Sequence, residues 1–239
     1  MNMRRRALLF PVLLMAFAAE ASAAELWKAK PVGEWTGEET QRFLRDSPWV
    51  RKVAVGSMVD LRPAMGSVET GEGRRESSGA EQAPSTETIE VERGRGQPVY
   101  FVEWSSAKIV RQANSRLQAL LRQGMNQKEE PPALPVYVLT VSGANLKAFE
   151  TVTDAEAKSG ASLRLKGSNA ILEAVDGRVR KAEGGRVVAV QFAFPRALNG
   201  RPTIPNQENS AEFTCKAHDL ALKATFNLKK MSTGQGRDL

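Results

Sequence analysis

The chain has 239 residues, 41% hydrophobic and 26% charged, with 34 Lys and Arg against 27 Asp and Glu, a formal net charge of +7. That apolar content is enough for a core of one or two domains and excludes a wholly disordered chain. A single cysteine, Cys215, and a single histidine, His218, exclude an intrachain disulfide and a zinc site built from Cys and His, which takes three or four such ligands.

Arg4, Arg5 and Arg6 precede an apolar run from Ala7 to Ala19, followed by the small residues Ala21, Ser22 and Ala23. Basic, apolar and small segments in that order describe a bacterial secretory signal peptide over 1–23, cleaved after Ala23. The run is too short to cross a bilayer, which takes roughly 20 residues of helix. No cysteine follows it, which speaks against a lipoprotein anchor. Its apolarity favours the general secretory route over the twin-arginine one. The mature chain then carries 31 basic and 26 acidic residues, a net charge of +5, and is expected in the periplasm or the medium. So mild an excess suits general solubility or an anionic surface, and export speaks against nucleic acid.

Residues 24–61 form the tryptophan-rich opening. Thr36 and Glu39 have the spacing of a capping box, and Glu38 with Arg42 that of an ion pair one helical turn apart. Pro48 ends this short helix and presents Trp49. Val53, Val55, Ser57, Val59 and Leu61 then alternate as the buried face of a first strand. From Arg62 to Gln97 the composition turns to Gly, Ser, Glu, Pro and Arg, and this stretch is expected to be a disordered loop. The opening is too short for its own core, so 24–61 is expected to join the main body, 98–239, in one domain.

Val99–Trp104 reads as a strand apolar on both faces, and Ser105 or Ser106 as the cap of a helix reaching about Gln123. Ile109, Val110, Ala113, Leu117, Leu120 and Leu121 share one arc of that helix, a core-facing stripe, while Lys108, Arg111 and Arg122 gather opposite. Val136–Val141 is dense in β-branched residues and reads as a central strand. Strand, helix, strand in that order predicts a right-handed crossover joining parallel strands. Beyond it the pattern predicts a short helix over Leu146–Lys158, a tight turn at Val175–Arg178, a strand over Val187–Phe194 ended by Pro195, and loop to Asn209. Alternation from Ala211 to Leu228, interrupted at His218-Asp219, predicts an antiparallel hairpin with one apolar face. That face and the helix stripe are the expected cover for Trp35 and Trp49.

The WTxxE and SPWxxxV motifs of the opening, the FVEWSSAK junction, the YVLTVSG strand, the FAFPR strand end and the closing LKATFNLKKM together resemble a set of uncharacterised exported proteins of soil bacteria. The resemblance covers most of the mature chain. It implies export and the element boundaries, and it carries over no catalytic residue.

For chemistry, Cys215 and His218 fall on opposite faces of the predicted hairpin, so the expected roles are a buried thiol and a turn histidine. His218 with Asp219 cannot form a serine triad, because adjacent residues do not orient one another's side chains in that way. No cofactor or metal is expected, and no catalytic residue. Glu103, between Val102 and Trp104 at a strand end, is the one acidic residue placed to mark a site; pairing with Arg111 or exposure at a sheet edge is the plainer alternative. Trp35, Trp49 and Trp104 are candidate partner or ligand contacts. The expected fold is α+β: a single mixed sheet of about five to six strands, one long amphipathic helix and one short N-terminal helix, a C-terminal β-hairpin and a disordered internal loop. The expected role is non-enzymatic, binding another envelope or secreted protein, with a small-molecule or glycan module second and a carboxylate hydrolase built on Glu103 third.

Overall fold

The structure is a computed structural model and describes residues 26–54, 98–122, 132–143 and 145–239. The predicted signal peptide, the predicted loop over 62–97 and the far part of the predicted first strand lie outside the described residues.

The opening folds as its local chemistry dictates. Helix α1 (Leu26–Ala29) is followed by α2 (Gly37–Arg45), where Thr36 Oγ1 accepts the Glu39 amide at 3.2 Å and Glu39 accepts the Thr36 amide at 2.7 Å. Arg42 reaches Glu38 at 3.1 Å. After Pro48 the chain enters strand β1 (Val50–Ala54), which begins three residues earlier than the alternation from Val53 suggests. The Trp104 amide already donates to the Trp49 carbonyl at 2.8 Å, so pairing starts at the break itself.

The sheet expected to be single and mixed is two antiparallel sheets. Strands β2 (Val99–Trp104), β3 (Val136–Gly143), β6 (Asp176–Lys181) and β7 (Val187–Pro195) join β1 in the order β1-β2-β3-β7-β6. Strands β4 (Ala161–Leu165), β5 (Ile171–Glu173), β10 (Ser210–Ala217) and β11 (Leu220–Asn227) form the second, ordered β11-β10-β4-β5. Every pairing is antiparallel. Two further ribbons are small: β8 (Ala197–Leu198) with β9 (Arg201–Pro202), and β12 (Ser232–Thr233) with β13 (Gly236–Arg237). The two large sheets meet through aromatic side chains. Trp104 stands edge-on to Phe226 at 5.2 Å, and Phe192 and Phe194 approach Phe213 at 5.3 and 6.2 Å. Strand periodicity puts Val102, Trp104, Leu139, Val141, Val190, Phe192 and Phe194 on one side of this interior and Leu163, Phe213, Cys215, Leu222 and Phe226 on the other, all buried.

The parallel crossover is also overturned: β2 and β3 are antiparallel neighbours, with Val102 opposite Val141. Helix α3 (Lys108–Leu121) has 14 residues and spans about 21 Å at 1.5 Å per residue. The chain between Leu121 and Val136 is as long as the helix itself, and extended chain retraces that distance in about seven residues at 3.3 Å each. Strand β3 accordingly enters the sheet beside the end where β2 leaves it, with Leu139 opposite Trp104. Nor does Ser105 or Ser106 cap α3. The Asp238 carboxylate does, accepting the amides of Lys108 at 2.7 Å and Ile109 at 2.8 Å from 130 residues away.

Two local readings need similar revision. The predicted helix over Leu146–Lys158 is a single 3₁₀ turn (Lys147–Phe149) and then α4 (Asp154–Ser159), which opens with its own capping box, Thr153 and Glu156. Val175–Arg178 is not a turn. Asp176 begins β6, and a Cβ at Gly177 would lie 2.4 Å from the Lys158 amide nitrogen, so the glycine lets α4 rest directly on the strand. The hairpin over β10 and β11 is as read, its turn made by His218 at φ 50°.

Two stability measurements check this architecture by urea unfolding. Asp238→Ala is expected to cost about 1–2 kcal/mol, the usual loss for a helix cap. Gly177→Ala is expected to cost about 1–3 kcal/mol through overpacking against α4. A neutral result at both positions would mean that neither contact is made in solution.

Candidate binding cleft

The tryptophans proposed as contacts are interior residues. Trp35, Trp49 and Trp104 are 0% exposed, so no ring face is open to a ligand or partner. Trp27, Trp35, Phe43 and Trp49 pack on one another with centroids 4.9–5.8 Å apart. The indole N–H of Trp49 donates to the Asp238 carbonyl at 2.7 Å, that of Trp35 to the Lys30 carbonyl at 3.1 Å and that of Trp27 to the Ser232 carbonyl at 3.2 Å. Amphipathic rings with satisfied N–H groups are cheap to bury, which accounts for Trp35 and Trp49; the Trp104 indole N–H is buried without a partner, and that ring is held by packing on Tyr137 and Phe226.

Glu103 is placed differently. Strand period sends Tyr100, Val102 and Trp104 into the interior and Phe101 and Glu103 to the outer face of the first sheet. Val50 and Thr140 are its cross-strand neighbours there, and Ser142 pairs with Phe101. Helices α2 and α3 lie over this face without closing on it. Between them and the sheet is a cleft of about 400 Å³, lined by Gln41, Leu44 and Arg45 of α2, Leu117 and Leu121 of α3, and Val50, Phe101, Glu103, Thr140 and Ser142 of the strands. The α3 stripe is only half used for the core: Ile109, Val110 and Ala113 are buried, while Leu120 is 37% and Leu121, which lines the cleft, 71% exposed.

Arg111 does not pair with Glu103. Its guanidinium donates to the carbonyls of Ser106 and Pro132. The Glu103 carboxylate oxygen Oε1 accepts from Ser105 Oγ at 2.8 Å and from Asn114 Nδ2 at 3.4 Å, and Ser105 Oγ lies 2.6 Å from Thr140 Oγ1. Burial pushes the Glu103 carboxyl above its ordinary range, against the pull of those hydrogen bonds. Among the described residues it is the only carboxylate lining the cleft, and no described cation forms an ion pair with it.

The other sequence candidates do not join this site. Cys215 is buried in β10 with its thiol pushed up to about 12 by burial, which makes it a poor nucleophile at neutral pH. His218 sits exposed at the hairpin turn, its Nε2 3.0 Å from Thr151 Oγ1. Among the described residues no group of three or more His, Cys, Asp or Glu side chains could hold a metal ion, and no helix is long and apolar enough to cross a membrane. Sequence reasoning missed Ser105 and Asn114 as hydrogen-bond partners of Glu103 and Thr140 as its cross-strand neighbour. A usable signal was there: Glu103, Thr140 and Ser142 are the polar positions on otherwise apolar strands, and register places them on one face. No family model, no curated protein and no solved structure matches this chain.

The raised carboxyl fixes a sign. Below the ordinary range near 4.5 Glu103 is protonated whether folded or not; as pH rises through its raised value the stability tied to keeping that proton is lost. Glu103→Gln keeps an oxygen for Ser105 and Asn114 and has no such loss. Its melting temperature should match the wild type at pH 4 and exceed it at pH 8. A constant difference across that range would show that Glu103 titrates normally.

Proposed function

We propose that the protein is an exported, non-enzymatic binding protein whose cleft between α2, α3 and the first sheet receives a small molecule. The observation that carries this reading is Glu103: an acidic group set on the floor of an apolar-walled cleft, with no ion-pair partner among the described residues. Such a group costs stability, and sites that bind are where that cost is met. Export rests on the basic, apolar and small-residue order of 1–23, together with the resemblance to exported proteins.

A second reading is a partner from the cell envelope or the secreted fraction, seated on the end of α3. It is favoured by Leu120 and Leu121, two exposed leucines in the last turn of α3, the second of which lines the cleft.

Saturation-transfer NMR against a panel of small metabolites tests the first reading. Compounds that bind the wild type should lose their signal with Leu117→Trp, which fills the cleft, provided that variant keeps the wild-type circular dichroism. If every binder is retained by Leu117→Trp, the cleft is not the site. Binding of none of the metabolites, together with capture of one envelope protein that Leu121→Ser abolishes, would favour the second reading. Export is checked by cell fractionation of the full chain, with a product beginning at Ala24 expected outside the cytoplasm.

A further inference from the structure

If the cleft receives a small molecule, the polar groups of its floor also select the chemical class of that molecule. Ser105 has one hydroxyl proton and two oxygen neighbours, Glu103 Oε1 at 2.8 Å and Thr140 Oγ1 at 2.6 Å. Ser105 Oγ has donor geometry toward both oxygens, and because a carboxylate only accepts, its proton is drawn to Glu103 when that group is ionised. Glu103 and Thr140 thus flank Ser105 as the two acceptors of one proton. Glu103 Oε2 takes no hydrogen bond from any described residue. Glu103 and Thr140 are directly opposed across the β2–β3 pair, where Cβ atoms stand about 5 Å apart.

With Glu103 ionised the floor is negative and offers acceptor oxygens, and a ligand that matches it brings N–H donors and a positive charge. Around it stand Leu44, Val50, Leu117 and Leu121, with the ring of Phe101, a surface that also attracts cations. Arg45 is the other charged residue of the lining; it is exposed at the mouth, where water screens it. We propose that the cleft binds an organic ammonium ion with an apolar body, its N–H groups on Glu103 and Thr140 and its hydrocarbon against Leu44, Leu117 and Leu121.

A bound ammonium favours the ionised carboxyl. Affinity should therefore rise with pH from about 4.5 through the raised range of Glu103 and level off until the amine itself loses its proton.

Calorimetric titration of the whole protein with phenethylamine, 2-phenylethanol and 3-phenylpropionate tests the proposal, since the three share an apolar body and differ in charge. Phenethylamine is expected to bind at least tenfold more tightly than the alcohol, and the acid most weakly. Glu103→Gln should abolish the preference for the amine. Thr140→Val, which keeps the side-chain shape and removes an acceptor, should reduce the preference several-fold. Equal affinities, or a preference for the acid, overturn the ammonium class yet leave the cleft as a binding site. Failure of all three probes to bind a protein with native circular dichroism overturns both the ammonium class and the small-molecule reading.

Discussion

The fold depends on a clasp made by its last described residues. Asp238 caps α3 with its carboxylate and takes the Trp49 indole with its carbonyl. On either side, Arg237 donates to the carbonyls of Pro205, Asn206 and Glu208, and Arg196, stacked over Tyr137 at 4.5 Å, donates to the Leu239 carbonyl. Four regions distant in sequence meet here: the tryptophan opening, the long helix, the 195–209 segment and the chain end. Helix N-termini carry unsatisfied amides and a partial positive charge, so one carboxylate at α3 fixes the helix against the sheet as well as stabilising it. The position of α3 in turn sets the shape of the cleft.

Features governed by neighbouring residues were legible in the sequence. The Thr36–Glu39 box, the Glu38–Arg42 pair, the proline break before Trp49 and the β10–β11 hairpin each follow from residues a few positions apart. What failed was whatever a distant segment decides. Ser105 and Ser106 have the chemistry of caps but lose the place to Asp238, and Ser106 Oγ is left buried without a partner. The helix period in 108–121 is real, yet period says nothing of where the following chain goes, so an antiparallel return was taken for a parallel crossover. Gly177 shows the same limit: a glycine after aspartate suggests a turn, and only the helix resting on it explains its absence of a side chain.

The candidate site was half legible for a related reason. An acidic residue within VYFVEW is unusual enough to single out, but its meaning depends on what lies over the strand. The tryptophans, singled out on size alone, proved to be interior. Rarity of a residue type in an apolar run points to a position that needs explaining; whether the explanation is packing or binding is set by the layer above, which pattern does not encode.

Two buried carboxylates elsewhere show how this fold treats acidic groups when it serves structure alone. Burial would raise Glu208, but the amides of Gly167, Ser168 and Ser210 outweigh it and hold the group below its ordinary range while fixing the turn after β4. Glu212 lies between Lys166 at 2.6 Å and Lys223 at 3.1 Å, and these hold it low as well. Both are compensated by partners the chain itself supplies. Glu103 has only a serine and an amide on one of its oxygens, and burial wins. Among the described residues, then, the chain neutralises acids at two places and supplies no ion-pair partner at the third, which lies beneath apolar walls, and this contrast is what the proposed ammonium ligand rests on.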